Sequence, residues 1–154
     1  MKNLFFIAAF VAAGIACSLK AGATELKDMK YVDARSLHII GMPYETPLAD
    51  YARLPEQLRE ELRGSLISLG VNSAGVAVRF SSDSPVISAK WRVRNHFSMN
   101  HMPDTGIRGL DLYVLDGNKW RYVGTAKPGA KESISAFVRN GDNELREYVA
   151  YLPL

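Results

Sequence analysis

Apolar and polar positions change their rhythm along this chain, and each rhythm predicts a different element. Leu4 to Ala16 is an unbroken run of 13 uncharged, mostly apolar residues. Near Pro55 the spacing becomes helical: Leu54, Leu58 and Leu62 recur every four residues, with Glu56, Arg59, Glu60 and Glu61 between them. That places leucines on one side of a helix and charges on the other. Proline suits the first turn of such a helix, because its missing N–H has no partner there anyway. The pattern predicts a short helix opening at Pro55 and stopped by Gly64.

From Ser65 onward the period falls to two. Val76, Val78 and Phe80 alternate with polar or small neighbours, and Ile87, Ala89, Trp91 and Val93 alternate with Ser88, Lys90, Arg92 and Arg94. Leu110, Leu112 and Val114 repeat the pattern, followed by Trp120 and Tyr122, Ile134 and Ala136, and Val149 and Tyr151. Successive side chains of a strand point to opposite faces, so this is the signature of half-buried strands. Turn-forming clusters separate them: Ser81 to Pro85, Asp116-Gly117-Asn118, Lys127-Pro128-Gly129 and Asn140 to Asn143. Many short strands with such turns predict an all-β chain, a jelly-roll-like antiparallel β-sandwich with one short helix. Glu147 to Leu154 reads as a strand still running at the chain's end, which predicts an uncovered sheet edge there.

The first apolar run changes the picture of what is folded. Lys2 precedes it and Ala21-Gly22-Ala23 follows as an A-x-A cleavage site, so residues 1–23 read as a signal peptide. Thirteen residues fall short of the roughly 20 that a membrane-crossing helix needs. The expected product is an exported domain over residues 24–154, periplasmic or extracellular. Cys17 is the chain's single cysteine and lies within the leader. The alternative processing, lipid anchoring through Cys17 after Ala16, has the small preceding residue but lacks the usual leucine three positions upstream. Losing the leader removes Lys2 and Lys20 and lowers the formal net charge from +3 to +1. A near-neutral module without a basic patch argues against nucleic acid as a partner.

The run Gly109-Leu110-Asp111-Leu112-Tyr113 carries little chemistry of its own, yet it resembles the Gly-x-Asp-Leu-Tyr (GxDLY) motif that names the N-terminal domain found ahead of SGNH-type (GDSL-like) esterases. Its flanks agree: Tyr51-Ala52-Arg53-Leu54-Pro55, the stretch Ser73 to Phe80, Met99-Asn100-His101-Met102-Pro103-Asp104-Thr105-Gly106, and Trp120 after the signature strand. The resemblance spans residues 31–154. It implies a β-sandwich module preceding an SGNH catalytic domain, which acts on esters such as acyl groups on carbohydrate and belongs to the same polypeptide.

The chain itself lacks an esterase's reacting groups. Gly-Asp-Ser and G-x-S-x-G turns do not occur, and no histidine follows His101 to serve as general base. Ser73 follows Asn72 and Val71 and reads as an ordinary edge or turn serine. The expected catalytic set is therefore empty. His96 and His101 are five apart, a spacing that fits no helical zinc pair; even with Asp104 nearby they read as polar groups of an exposed loop. No metal and no cofactor are implied.

Functional interest concentrates in the connection between Arg94 and Gly109, about fourteen residues and longer than most hairpin links. Met99, Asn100, His101, Met102 and Thr105 mix adaptable apolar and hydrogen-bonding groups, as a docking surface or the wall of a substrate cleft would. The competing reading is a loop that plugs the end of the sandwich. Arg53, Gly109, Asp111, Leu112 and Tyr113 read as structural: Gly109 allows close backbone approach, and Asp111 accepts hydrogen bonds from a neighbouring turn, with Arg53 as its buried partner. Two further readings of the whole chain compete with the accessory one. A carbohydrate-binding module would expose a platform of aromatic rings drawn from Trp91, Trp120, Tyr113, Tyr122, Tyr148 and Tyr151. Trp120 is foremost among them, while Trp91 sits among apolar neighbours and reads as core. A cell-surface spacer would show neither such a platform nor an apolar docking face.

Overall fold

Two antiparallel sheets form the framework of the chain in a computed structural model that describes residues 5–9, 25–42, 44–45, 47, 49–138 and 143–154. The strands are β1 (Phe5–Ala9), β2 (Val32–Asp33), β3 (His38–Ile40), β4 (Ala77–Ser82), β5 (Ile87–Arg92), β6 (Leu110–Asp116), β7 (Lys119–Ala126), β8 (Glu132–Val138) and β9 (Arg146–Tyr151). One sheet runs β2-β1-β5-β8 and the other β3-β4-β9-β6-β7. Successive strands β4, β5 and β6 alternate between the sheets, as do β7, β8 and β9, so neither sheet forms without the other. The proposed leader and Cys17 lie outside the described residues except for the backbone of Phe5–Ala9, which pairs with β2 and β5.

The alternation read from the sequence builds the core at most positions. Val78, Phe80, Ile87, Ala89, Trp91, Leu110 and Leu112 are all buried between the sheets. Phe80 stacks on Tyr148 with ring centroids 5.6 Å apart. The described α-helices number two, α1 (Gly64–Gly70) and α2 (Asp104–Arg108), against the one expected. Pro55 precedes a 3-10 turn over Glu56–Arg59, and Gly64 begins a helix rather than stopping one. The leucine stripe is half-buried and its charges exposed, as four-residue spacing requires; the segment's preference for 3-10 geometry is a tertiary choice over marginal helix propensity.

Three strands face the other way from the expected orientation. In β7 it is Trp120 and Tyr122 that are exposed. In β9 the core residues are Tyr148 and Ala150, continued by Leu152, so Val149 and Tyr151 lie on the outer face. In β8 Ser133 and Phe137 are buried while Ile134 is exposed. A shift of one residue exchanges the faces of a whole strand, and alternating apolar residues on both faces leave that choice to the partners. The chain's end is also held: β9 lies between β4 and β6, Leu152 donates its N–H to Val76 and Leu154 to Ile107. The expected open edge at Glu147–Leu154 is thus an interior strand. Ser88, expected outside, is fully buried because Tyr31 and Met29 cover it, with contacts at 3.2 and 3.3 Å.

Candidate functional site

The connection from Val93 to Gly109 leaves β5, an interior strand of the four-stranded sheet, and returns as the signature strand β6. Its two ends are fixed. Val93 donates to Lys131 at 3.0 Å, and the indole N–H of fully buried Trp91 donates to the carbonyl of Arg108 at 2.9 Å. Gly109 closes α2 by donating to Thr105; a Cβ there would lie 2.3 Å from the Thr105 carbonyl oxygen. Only glycine permits that approach, which gives the first residue of the signature its structural reason.

Between these anchors residues 94–106 are exposed or half-buried, and Ile107 beyond them is buried. Asn100, His101 and Thr105 are exposed; Met99 and Met102 are half-buried and form a β-bridge with each other. His101 shares a hydrogen bond with Asn100, and Ser98 donates to Asp104 at 2.9 Å. Asp104 also pairs with Arg108 one turn on. Its carboxylate is thereby occupied, and among the described residues no three His, Cys, Asp or Glu side chains gather as a metal site.

Arg108 is the residue the sequence did not single out. It is 3 % exposed, and its Nε and Nη1 have no hydrogen-bond partner among the described residues. It lines a small pocket of about 30 Å³ with Ser73, Asn95, Phe97, Pro153 and Leu154. A buried guanidinium with unmade bonds is costly, so such a group wants an acceptor. Its signal in the sequence is an arginine placed between Ile107 and the apolar strand, a position at which a chain normally puts an apolar side chain. Exposed Phe97 and Leu154 rim the same end of the sandwich.

Ser73 is committed to structure. Its hydroxyl donates to the Pro153 carbonyl at 2.6 Å, is buried, and has no histidine among its described hydrogen-bond partners. Arg53 and Asp111 do not meet. Arg53 is exposed and donates to the carbonyls of Leu69 (3.0 Å) and Asn72 (3.2 Å), capping the end of α1. Asp111 is half-buried and accepts from the Thr125 hydroxyl, to which Tyr122 donates in turn; the expected backbone turn takes no part. Leu112 is core, and Tyr113 lies outside, on the far face of the sheet. Tyr51, at the start of the Tyr-Ala-Arg-Leu-Pro segment, is buried in the left-handed backbone region at φ 60°, and burial pushes its hydroxyl pKa upward.

The outer face of the five-stranded sheet holds a second concavity. Ile40, Arg79, Tyr113, Trp120, Val149 and Tyr151 line a groove of about 390 Å³. Trp120 is 43 % exposed, in contrast to Trp91 in the core. The sequence offers Trp120, Tyr113 and Tyr151 as members of an aromatic platform, but places Val149 on the core face of β9 and carries no signal that Arg79 joins them.

Comparison with known proteins adds the family. A family model described as GxDLY, the N-terminus of SGNH-hydrolase-type esterases, matches residues 29–154. A solved structure described as a GDSL-like lipase from Bacteroides ovatus is similar, with 31 % identity and a TM-score of 0.76. The match covers 80 % of this chain and 36 % of that one, so this chain spans about a third of the length of the protein it resembles. No curated protein matches.

Proposed function

The chain belongs to the GxDLY domains that form the N-terminus of SGNH-type esterases, and from that membership we propose a non-catalytic module that docks on an SGNH catalytic domain of the same polypeptide. The observation that carries the docking reading is Arg108. A fully desolvated guanidinium holds one carboxylate through Asp104 and keeps two nitrogens without acceptors, beside exposed Phe97 and Leu154. The adjoining pocket of about 30 Å³ has room for a water that relays these bonds to acceptors of a packed neighbour, and the apolar rim supplies area around it. Met99, Asn100, His101, Met102 and Thr105 stand at the neighbouring loop tip, where they form one wall of the substrate cleft. The substrate class is esters, with acyl groups on carbohydrate foremost. The leader exports the protein to the periplasm or beyond, with lipidation at Cys17 as the alternative end state.

A mixing experiment tests this. The coding sequence after Leu154 should encode a Gly-Asp-Ser-like turn, and the domain bearing it is produced separately. Calorimetry with residues 24–154 should show a saturable complex, weakened at least tenfold by Arg108→Met, because truncating one partner of a buried charged contact is expensive. Absence of any complex with the unmodified module would end the docking reading.

A further inference from the structure

We propose that the groove on the outer face of the five-stranded sheet is a binding site for a neutral saccharide chain, separate from the docking end that holds Arg108. A continuous cross-strand row runs Arg79, Val149, Tyr113, Tyr122 from β4 to β7. Tyr113 is its centre: its ring stands edge-to-face with Tyr122 and with Tyr151, both at 5.7 Å between centroids. Val149, only 4 % exposed, is the floor, and Trp120 and Tyr151 are walls at 43 % exposure each. A sheet face in water ordinarily carries polar groups, yet this one concentrates a tryptophan and three tyrosines.

The chemistry of the lining selects the occupant. Aromatic rings offer flat apolar surface to the C–H face of a pyranose, and the tyrosine hydroxyls and the Arg79 guanidinium offer hydrogen bonds to its hydroxyls. The Arg79 guanidinium at the groove is already paired with Glu147, and Arg121 with Asp116. The carboxylate of Asp111, opposite Tyr151, adds negative charge on this face, so the groove rejects an anionic ligand and suits an uncharged one. A volume of about 390 Å³ lies at the small end of ligand sites and suits one or two sugar rings at a time. The groove is open to solvent along the sheet, so a longer chain continues past it. Nothing in the docking of a catalytic domain depends on this face, and the two assignments stand or fall separately.

Tryptophan fluorescence reads the site directly, because Trp91 is buried and Trp120 is exposed. The intact chain is titrated with neutral oligosaccharides of four to six units in gluco, manno and xylo configurations. At least one should give a saturable change in emission, with binding confirmed by calorimetry. Trp120→Ala and Tyr151→Ala should each weaken that binding at least tenfold while leaving the thermal midpoint and circular dichroism intact, both side chains being substantially exposed. Tyr151→Phe, which keeps the ring, should retain most of the affinity. Three results overturn the proposal. They are no saturable response to any of these sugars, binding undiminished in both alanine variants, or light scattering showing that the face instead pairs two copies of the chain and that Trp120→Ala separates them.

Discussion

The indole N–H of Trp91 donates to the carbonyl of Arg108 at 2.9 Å, joining the middle of the four-stranded sheet to the last residue of α2. One hydrogen bond thus sets where the long connection ends and where Arg108 presents its guanidinium. Trp91→Phe removes the donor, leaves a buried carbonyl unpaired and shrinks a fully buried side chain. The expected loss of stability is about 2–4 kcal/mol. Amide exchange at Ile107 to Gly109 should accelerate beyond the change at β4 and β9. A uniform increase across the chain would mean that the bond has no local role in placing α2.

Ser73 offers the sharpest test of catalytic silence. Its hydroxyl is directed at the Pro153 carbonyl, so the chain on its own is expected to turn over no chromogenic acetyl ester. Ser73→Ala should cost about 1 kcal/mol of stability through the lost bond. Measured hydrolysis that disappears in this variant would show the serine to be a nucleophile.

Asp111, Thr125 and Tyr122 form a short hydrogen-bonded chain across β6 and β7, and its members should behave as a unit. Because Asp111 is half-buried, Asp111→Ala is expected to destabilise by about 1 kcal/mol, near the middle of what one such bond contributes. The double variant with Thr125→Val should cost less than the sum of the two single changes. Strict additivity in chemical denaturation would show that the carboxylate is held by solvent instead.

The sequence made the sandwich legible because strand alternation is a direct image of a sheet with one face buried. The apolar members Val76, Val78, Phe80, Ile87, Ala89, Trp91, Val93, Leu110 and Leu112 all lie on the core side as that image demands, although Ala77 and Ser88 opposite them are buried too. It misled at β7, β8 and β9, where apolar residues occupy both faces: Trp120, Tyr122 and Ile134 are exposed, while Tyr148 and Ala150 take the core in place of Val149 and Tyr151. Pattern alone cannot orient such strands, since the decision belongs to the neighbours they pair with. The aromatic groove was legible in part: Trp120, Tyr113, Tyr122 and Tyr151 are candidates for a platform, whereas Tyr148 and Trp91 of the same set lie in the core. Arg108 was hidden because burial of a charge is a tertiary fact, whereas the exposed loop from Met99 to Thr105 was visible from its length and mixed chemistry.

The surface carboxylates set the acid limit. Hydrogen bonding from Arg79 holds the Glu147 carboxyl below its ordinary value near 4.5, and Arg92 does the same for Glu132. A carboxylate depressed in the folded state stabilises fully above the unfolded value, and that contribution fades as pH falls through the folded one. Stability should therefore be flat down to about pH 5 and decline below it. Both pairs are exposed, so 1 M salt should flatten the decline. Glu147→Gln should reduce the slope in acid and barely move the thermal midpoint at pH 7. An unchanged acid slope in that variant would assign the acid sensitivity to other groups.

Strand β1 gives the last test, because it links the fold to the export reading. Its backbone, Phe5–Ala9, lies between β2 and β5 and pairs with β5 from Phe5 opposite Trp91 to Ala9 opposite Ile87. If residues 1–23 are removed on export, that side of β5 becomes a sheet edge whose N–H and C=O groups face solvent. Exposed edges invite pairing with another chain, and outward charges guard against it. Lys90 and Arg92 are both exposed on β5 and provide that guard. The fragment 24–154 is therefore expected to remain monomeric, with alternate β5 amides exchanging at least tenfold faster than in the 1–154 chain, while those bonded to β8 stay protected. Equal protection in the two chains would show that β1 does not hold this edge in solution, and a concentration-dependent dimer of the fragment would show the guard to be insufficient.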